Sequence, residues 1–181
     1  LEPTVLAEIS SYLRAHPEKA FPIISLITGK SVGHGGSLYR EKATGEGSVV
    51  AAEEIARKIW PETADKEMPL EGKRIGIQGF GNVGQNNASR VTQRAANVVA
   101  ISELGGAIYK ESGFTPSDLK TLQMYTAFNR SPDLTGIVDN KDFPIEGVKL
   151  LAKGTTEGRN AMFAFPIIDV TFLSAKAGEL N

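Results

Sequence analysis

Residues 73–84 read K-R-I-G-I-Q-G-F-G-N-V-G, and the fold turns on how they are read. Residues 74–78 are a short apolar run of the kind that buries as a parallel strand. Gly79, Gly81 and Gly84 follow at once with G-x-G-x-x-G spacing. In a dinucleotide site the first glycine turns the strand. The second admits a pyrophosphate against the backbone, and the third lets the next helix lie close on the sheet. The helix N-terminus then offers N–H groups and a partial positive charge to the phosphates. Glycine is common, so the spacing is weak by itself and its context makes it specific. A helix is predicted over residues 82–95, with Val83, Ala88, Val91 and Ala95 near one face. Residues 98–101 are a second apolar run, ended by Ser102 and Glu103. Glu103 falls about 20 residues beyond the last glycine, where an acid meets a ribose hydroxyl. The bland alternative is a strand-to-helix turn with no ligand. Strand, glycines, helix and acid together predict an α/β, Rossmann-like fold: a doubly wound, mostly parallel sheet with helices on both faces.

The chain has 181 residues, 41% of them hydrophobic, enough for one ordinary domain with a real core. Lys and Arg number 20 against 21 Asp and Glu, a net charge of −1. Without a basic excess, neither nucleic acid nor an anionic membrane is expected as a partner. No apolar run reaches the length of a membrane span. The absence of cysteine excludes disulfides and thiol chemistry and fits a reducing compartment. A cytoplasmic location is expected, with the mitochondrial matrix as the alternative. The N-terminus has no signal-peptide pattern and no initiator methionine, which reads as a processed or excised piece. His16 and His34 have no partner at ligand spacing, so no metal is expected.

Residues 4–15 carry Val5, Ile9, Tyr12 and Leu13 at helical spacing, with Thr4 as N-cap and Pro17 as the stop. That helix either links to a further domain or packs on this one. Residues 21–27 are apolar. Residues 31–47, S-V-G-H-G-G-S-L-Y-R-E-K-A-T-G-E-G, hold five glycines and read as a loop, against a ligand or as a connector. His34 within it reads as a solvated or packed histidine rather than a base. Residues 47–59 form a predicted helix with Val49, Ala52, Ile55, Ala56 and Ile59 on its apolar face and Glu53 outside. Further on, residues 107–109 suggest a hairpin edge. Thr115 and Pro116 open a helix carrying Leu119, Leu122 and Tyr125. Residues 129–158 are the least readable part, with apolar pieces at 137–138 and 148–152. Residues 161–165 and 167–173 read as late strands, with Asp169 at the start or on the exposed side of the second. The expected division is a helix and lead-in over 1–30 and a dinucleotide-binding domain over 31–181, globular as a whole.

Four segments, in order, are similar to one known family. T-G-K-S-V-G-H-G-G-S-L-Y-R-E-K-A-T-G-E-G (28–47) resembles the T-G-K-P…G-G-S…R…A-T-G-x-G segment of glutamate dehydrogenases. Q-G-F-G-N-V-G (78–84) matches their cofactor fingerprint residue for residue. S-E-L-G-G-A-I-Y (102–109) followed by G-F-T resembles the stretch after their second strand. I-D-V-T-F-L-S-A-K-A-G-E-L-N (168–181) resembles V-D-I-A-L-P-C-A-T-Q-N-E-L-N. The resemblance covers most of residues 28–181 and is thin over 124–162.

The resemblance implies the cofactor-binding domain of a two-domain enzyme that oxidatively deaminates glutamate with NAD or NADP. The implied contacts are Gly79, Phe80, Gly81, Asn82, Val83 and Gly84 at the turn. Thr44 and Asn82 would reach the nicotinamide end, Arg40 would be a further contact, and Glu103 would meet the adenosine ribose. An acid there repels a 2′-phosphate, which favours NAD over NADP. Departures from the family pattern matter as much. No G-G-x-K-type motif is present, so no catalytic residue is carried over and this chain alone is expected to turn over glutamate negligibly. Leu173, Ser174, Lys176, Ala177 and Gly178 stand where the family has Pro, Cys, Thr, Gln and Asn. Gln85, Asn86 and Asn87 make the helix after Gly84 more polar than expected, the mark of a divergent or engineered domain or of a locally loose core. Two other readings stay open. One is a non-catalytic nucleotide-binding module: a fragment, a designed minimal domain or a nucleotide-responsive regulator. The other is a relative acting on leucine, phenylalanine or valine, which this domain does not select. The partners implied are a nicotinamide dinucleotide, an amino acid where a substrate domain is supplied, and a second copy of the chain in an oligomer.

Overall fold

A computed structural model describes residues 3–19, 31–34, 36–131, 133–154, 160, 163 and 167–174. The apolar run at 21–27, most of the run at 161–165 and the segment after Ser174 lie outside the described residues. The chain divides into two compact units, Leu1–Thr44 and Gly45–Asn181.

In the first unit, helix α1 spans Pro3–Ala15. Thr4 therefore lies inside the helix and does not cap it. Leu13 and Ser10 are buried on this helix, and the Arg14 guanidinium donates to the carbonyl of Gly33. A single 3₁₀ turn, Val32–His34, follows. Helix α2 spans Arg40–Ile59, which corrects the expectation of a loop as far as Gly47. The glycines that signal a loop are tolerated inside a helix here because one of them lets a neighbour approach. A Cβ at Gly45 would lie 2.6 Å from Asn86 Cβ and 2.9 Å from the Val83 carbonyl oxygen.

Among the described residues, the second unit is built on a five-stranded sheet. Its strands are β1 (Arg74–Gln78), β2 (Asn97–Glu103), β3 (Gly106–Tyr109), β4 (Lys149–Lys153) and β5 (Val170–Leu173), in the order β4-β3-β2-β1-β5. β1 pairs parallel with both β2 and β5. β3 runs antiparallel to β2 and to β4, so every strand but β3 points the same way. The sheet is thus mixed but mostly parallel, as expected. Successive residues are buried along β1 and β2, so both faces of these central strands are covered. Residues 107–109 do form a hairpin strand, but β4 pairs on its outer side, so β3 is interior and not an edge. β4 comes from the stretch that sequence patterning could not read. Asp169 sits just before β5 and clamps its start to β1: its Oδ2 accepts from the Arg74 amide at 2.7 Å, and its own amide donates to the Arg74 carbonyl at 2.8 Å.

Helix α3 spans Asn82–Gln93 and crosses from β1 to β2. It stops short of Ala95, which is exposed and adopts a left-handed φ of 57°. Ile75, Ile77, Val98, Ile101, Ala88 and Val91 form the centre of the core. α2 contributes Val49 and Ala56, but Ile55 and Ile59 are exposed, 56% and 60%. Glu53, expected outside, is 7% exposed. The positions i, i+4 and i+7 share a helical face, so Glu53 falls between Val49 and Ala56. Its burial is offset by Arg94, whose Nε and Nη2 reach its two carboxylate oxygens at 2.7 and 3.3 Å.

Helix α4 spans Pro116–Asn129 and opens as the sequence predicts, with Thr115 as N-cap. Thr115 Oγ1 accepts from the Asp118 amide at 3.1 Å, and Asp118 Oδ2 accepts from the Thr115 amide at 2.8 Å, a closed capping box. Leu119, Leu122 and Tyr125 are buried. Lys110 Nζ adds a second donor to the Asp118 carboxylate at 2.7 Å. Burial pushes the Asp118 carboxyl up, but the bonds from Lys110 and Thr115 outweigh it and hold the group below its usual value of 3.8. A carboxyl depressed in the folded state contributes stability that is present above the unfolded-state value and lost as pH falls through the folded one. Asp118→Asn should therefore lower stability near neutrality, and by less at a strongly acidic pH where the carboxyl is protonated. Urea unfolding at both pH values checks this; an equal difference at each would contradict it.

Candidate functional site

β1 ends at Gln78, and Gly79 turns the chain with φ of 86°. Its amide is held by the Ser102 carbonyl at 2.8 Å, which fixes the turn to the neighbouring strand end. Phe80 buries its ring in the core, and its carbonyl accepts from Gln85 Nε2 at 2.9 Å. Gly81 then N-caps α3 without any side-chain cap bond. It is exposed, and a Cβ placed on it would meet nothing within 4 Å. Gly84 is the reverse: a Cβ there would lie 1.8 Å from the Gly79 carbonyl oxygen. The third glycine closes helix on turn, while the second leaves the surface above the helix start open. An uncapped helix start beneath an open glycine suits an anion such as a diphosphate.

The acid expected at the ribose is brought to this turn. Glu103 is the last residue of β2, and its Oε1 accepts from the Phe80 amide. Its Oε2 accepts from the Leu104 amide at 3.2 Å. A cleft of about 360 Å³ opens beside them, lined by Phe80, Gly81 and Glu103 and, from α4 and the residues after it, by Thr126, Arg130 and Ser131. Sequence reading missed the second set. Arg130 ends α4 in a left-handed conformation, φ 50°. It belongs to a stretch without spacing signals, and only the packing of α4 brings it to the same cleft as Glu103.

On the other side of β1 lies β5. Since α3 carries the chain from β1 to β2 and β5 pairs on the opposite edge, the carboxyl ends of β1 and β5 form a topological switch point, where open α/β sheets bind ligands. Asn82 is exposed there at the start of α3, its carbonyl accepting from Asn86 Nδ2 at 2.8 Å. Val83 is half-buried beside it. The polar run in α3 is not a loose core. Gln85 and Asn86 bond the helix start, and Asn87 Nδ2 donates to Ser174 Oγ at 2.8 Å. Arg40 and Thr44 lie in the first unit, exposed in the opening turns of α2. Among the described residues no cluster of His, Asp or Glu suits a metal ion, and no helix is long and apolar enough to cross a membrane.

Comparison with known proteins agrees with this architecture. Residues 35–180 match the family model for glutamate/leucine/phenylalanine/valine dehydrogenases, and the chain belongs to that family. An NADP-specific glutamate dehydrogenase of Chlorella sorokiniana is 35% identical over 106 residues, 59% of this chain and 19% of that protein. Among solved structures, glutamate dehydrogenase 2 of Plasmodium falciparum matches 71% of this chain at 27% identity, with a TM-score of 0.58, over 25% of its own length. A point mutant of another glutamate dehydrogenase covers 97% of the chain with a TM-score of 0.67 at 22% identity, a likeness of fold. This chain spans about a fifth of the curated relative and 40% of that last structure.

Proposed function

We propose that this chain is the nicotinamide-dinucleotide-binding part of an amino-acid dehydrogenase, serving hydride transfer in oxidative deamination. The observation that carries the reading is the contact of Glu103 with the Phe80 amide at an uncapped, glycine-lined helix start. Diphosphate, ribose and acid thereby have places on adjoining strand ends. When bound, the nicotinamide supplies the hydride acceptor; these residues grip, orient and shield it. Gly79, Phe80, Gly81, Asn82, Val83 and Gly84 form the phosphate turn, and Glu103 faces the adenosine ribose. Arg40 and Thr44 rest on the motif match alone. Substrate choice among glutamate, leucine, phenylalanine and valine rests on none of these residues.

Glu103 and Arg130 set opposite preferences in the shared cleft. A carboxylate holds ribose hydroxyls and repels a 2′-phosphate, while a guanidinium attracts one. We therefore assign NAD as the preferred cofactor, with NADP admitted through Arg130. Titration by NADH and NADPH fluorescence tests this. Glu103→Ala should weaken NADH more than NADPH, and Arg130→Ala should weaken NADPH more than NADH. If both substitutions weaken both cofactors equally, the adenosine end does not lie in this cleft. If neither cofactor shifts the amide resonances of Gly79, Gly81 and Gly84, the site reading fails.

A further inference from the structure

Asn87 stands on the second turn of α3, and its residue is 1% exposed. An amide in such a place costs stability unless its polar atoms are satisfied. Here they are. Ser48 Oγ, on α2, lies 2.7 Å from Asn87 Oδ1, and Asn87 Nδ2 donates to Ser174 Oγ at 2.8 Å. Ser174 directly follows β5, and its amide donates to the carbonyl of Gln78, the last residue of β1, at 2.7 Å. One buried side chain thus ties α2 and α3 to the paired ends of β1 and β5. A serine hydroxyl has one proton, and a hydroxyl that accepts from Asn87 keeps that proton to give elsewhere. Ser174 is partly exposed, at the switch point.

The order of the strands says what lies within reach. The cleft with Glu103 and Arg130 is on the β2 side of β1, and the glycine turn is at the end of β1 itself. A dinucleotide with its adenosine ribose in that cleft and its diphosphate on the turn must send its other half toward β5. We infer that Ser174 Oγ, oriented by the buried Asn87 amide, donates a hydrogen bond to an acceptor oxygen of the nicotinamide nucleoside. This rests on the dinucleotide reading above. Ser174 is the contacting residue, and Asn87 is a positioning residue acting through it.

The test compares NADH with ADP-ribose, which keeps the adenosine, diphosphate and second ribose but has no nicotinamide ring. Affinities are measured by NADH fluorescence and by ADP-ribose competition or calorimetry. Ser174→Ala should weaken NADH roughly three- to tenfold, the scale of one hydrogen bond. A smaller loss for ADP-ribose than for NADH assigns the acceptor to the carboxamide; an equal loss for the two assigns it to the ribose. Asn87→Ala should give the same loss, and the double variant should add nothing to it. An unchanged NADH affinity in Ser174→Ala overturns the inference, as does a fully additive double variant. Ser174→Ala decides alone if Asn87→Ala does not fold. Wild-type protein that binds neither NADH nor ADP-ribose would sink the dinucleotide reading itself. Wild-type binding of both with an indifferent Ser174→Ala would sink only this inference.

Discussion

Gly84→Ala is expected to abolish dinucleotide binding and to lower stability by about 3 kcal/mol, the upper end for overpacking. The added methyl would sit 1.8 Å from the Gly79 carbonyl oxygen and 2.9 Å from its carbonyl carbon. Both are backbone atoms, held by the bond from the Gly79 amide to Ser102, so neither can swing aside as a side-chain end would. The helix start must lift from the turn, and the N–H groups proposed to hold the diphosphate lift with it. For a chain of this size the melting temperature should fall by roughly 6–12 °C. Gly81→Ala is the control. A Cβ there meets nothing within 4 Å and its φ of −74° is ordinary, so the fold should be untouched. Its methyl nevertheless occupies the open surface where a diphosphate would come down, so binding should weaken. Thermal melts and NADH titrations of both variants check the pair. A Gly84→Ala protein as stable as wild type would contradict the packing argument. A Gly81→Ala protein that binds NADH as wild type does would remove the phosphate from this turn.

Arg94→Ala should cost about 3 kcal/mol and leave cofactor affinity of the folded protein unchanged. Removing the guanidinium strands the Glu53 carboxylate between Val49 and Ala56. An uncompensated buried charge costs on the order of 3–5 kcal/mol. The lower end applies because the Arg94 side chain is itself 18% exposed, against 9% for Glu53. Arg94 also bonds the Glu67 carbonyl, so the loop before β1 loosens as well. The pair as a whole is far less valuable than either half suggests, since both charges had to leave water. Glu53→Leu combined with Arg94→Met should regain most of the loss. Urea unfolding of the single and double variants measures this. A double variant no more stable than Arg94→Ala would show that the pair, and not the stranded charge, holds α2 to the end of α3.

The glycine turn was legible in the sequence because its constraints are local. A strand of alternating faces, a positive φ at Gly79 and a helix pressed on the turn each act within a dozen residues. Each leaves a residue type that nothing else explains. Glu103 was legible for the same reason, at a fixed distance along one strand–helix–strand unit. The capping box of Thr115 and Asp118 is local too. Gly45 misled because two different needs call for the same residue. A loop wants glycine for freedom, while α2 wants it so that Asn86 and Val83 can come close. Ile55 and Glu53 misled because hydropathy assigns faces by residue type, whereas a bidentate partner can draw a carboxylate inside.

Taken alone, the amino-acid order determined the α/β class, the glycine turn and the acid at the end of the second strand, all of which follow from short-range geometry and backbone sterics. Only the tertiary structure decided that Arg130 and Glu103 line one cleft, that β4 flanks β3, and that Asn87 reaches Ser174. Those juxtapositions join residues dozens of positions apart. They are set by how helices and strands pack around a shared core, and packing leaves no periodic trace in the chain.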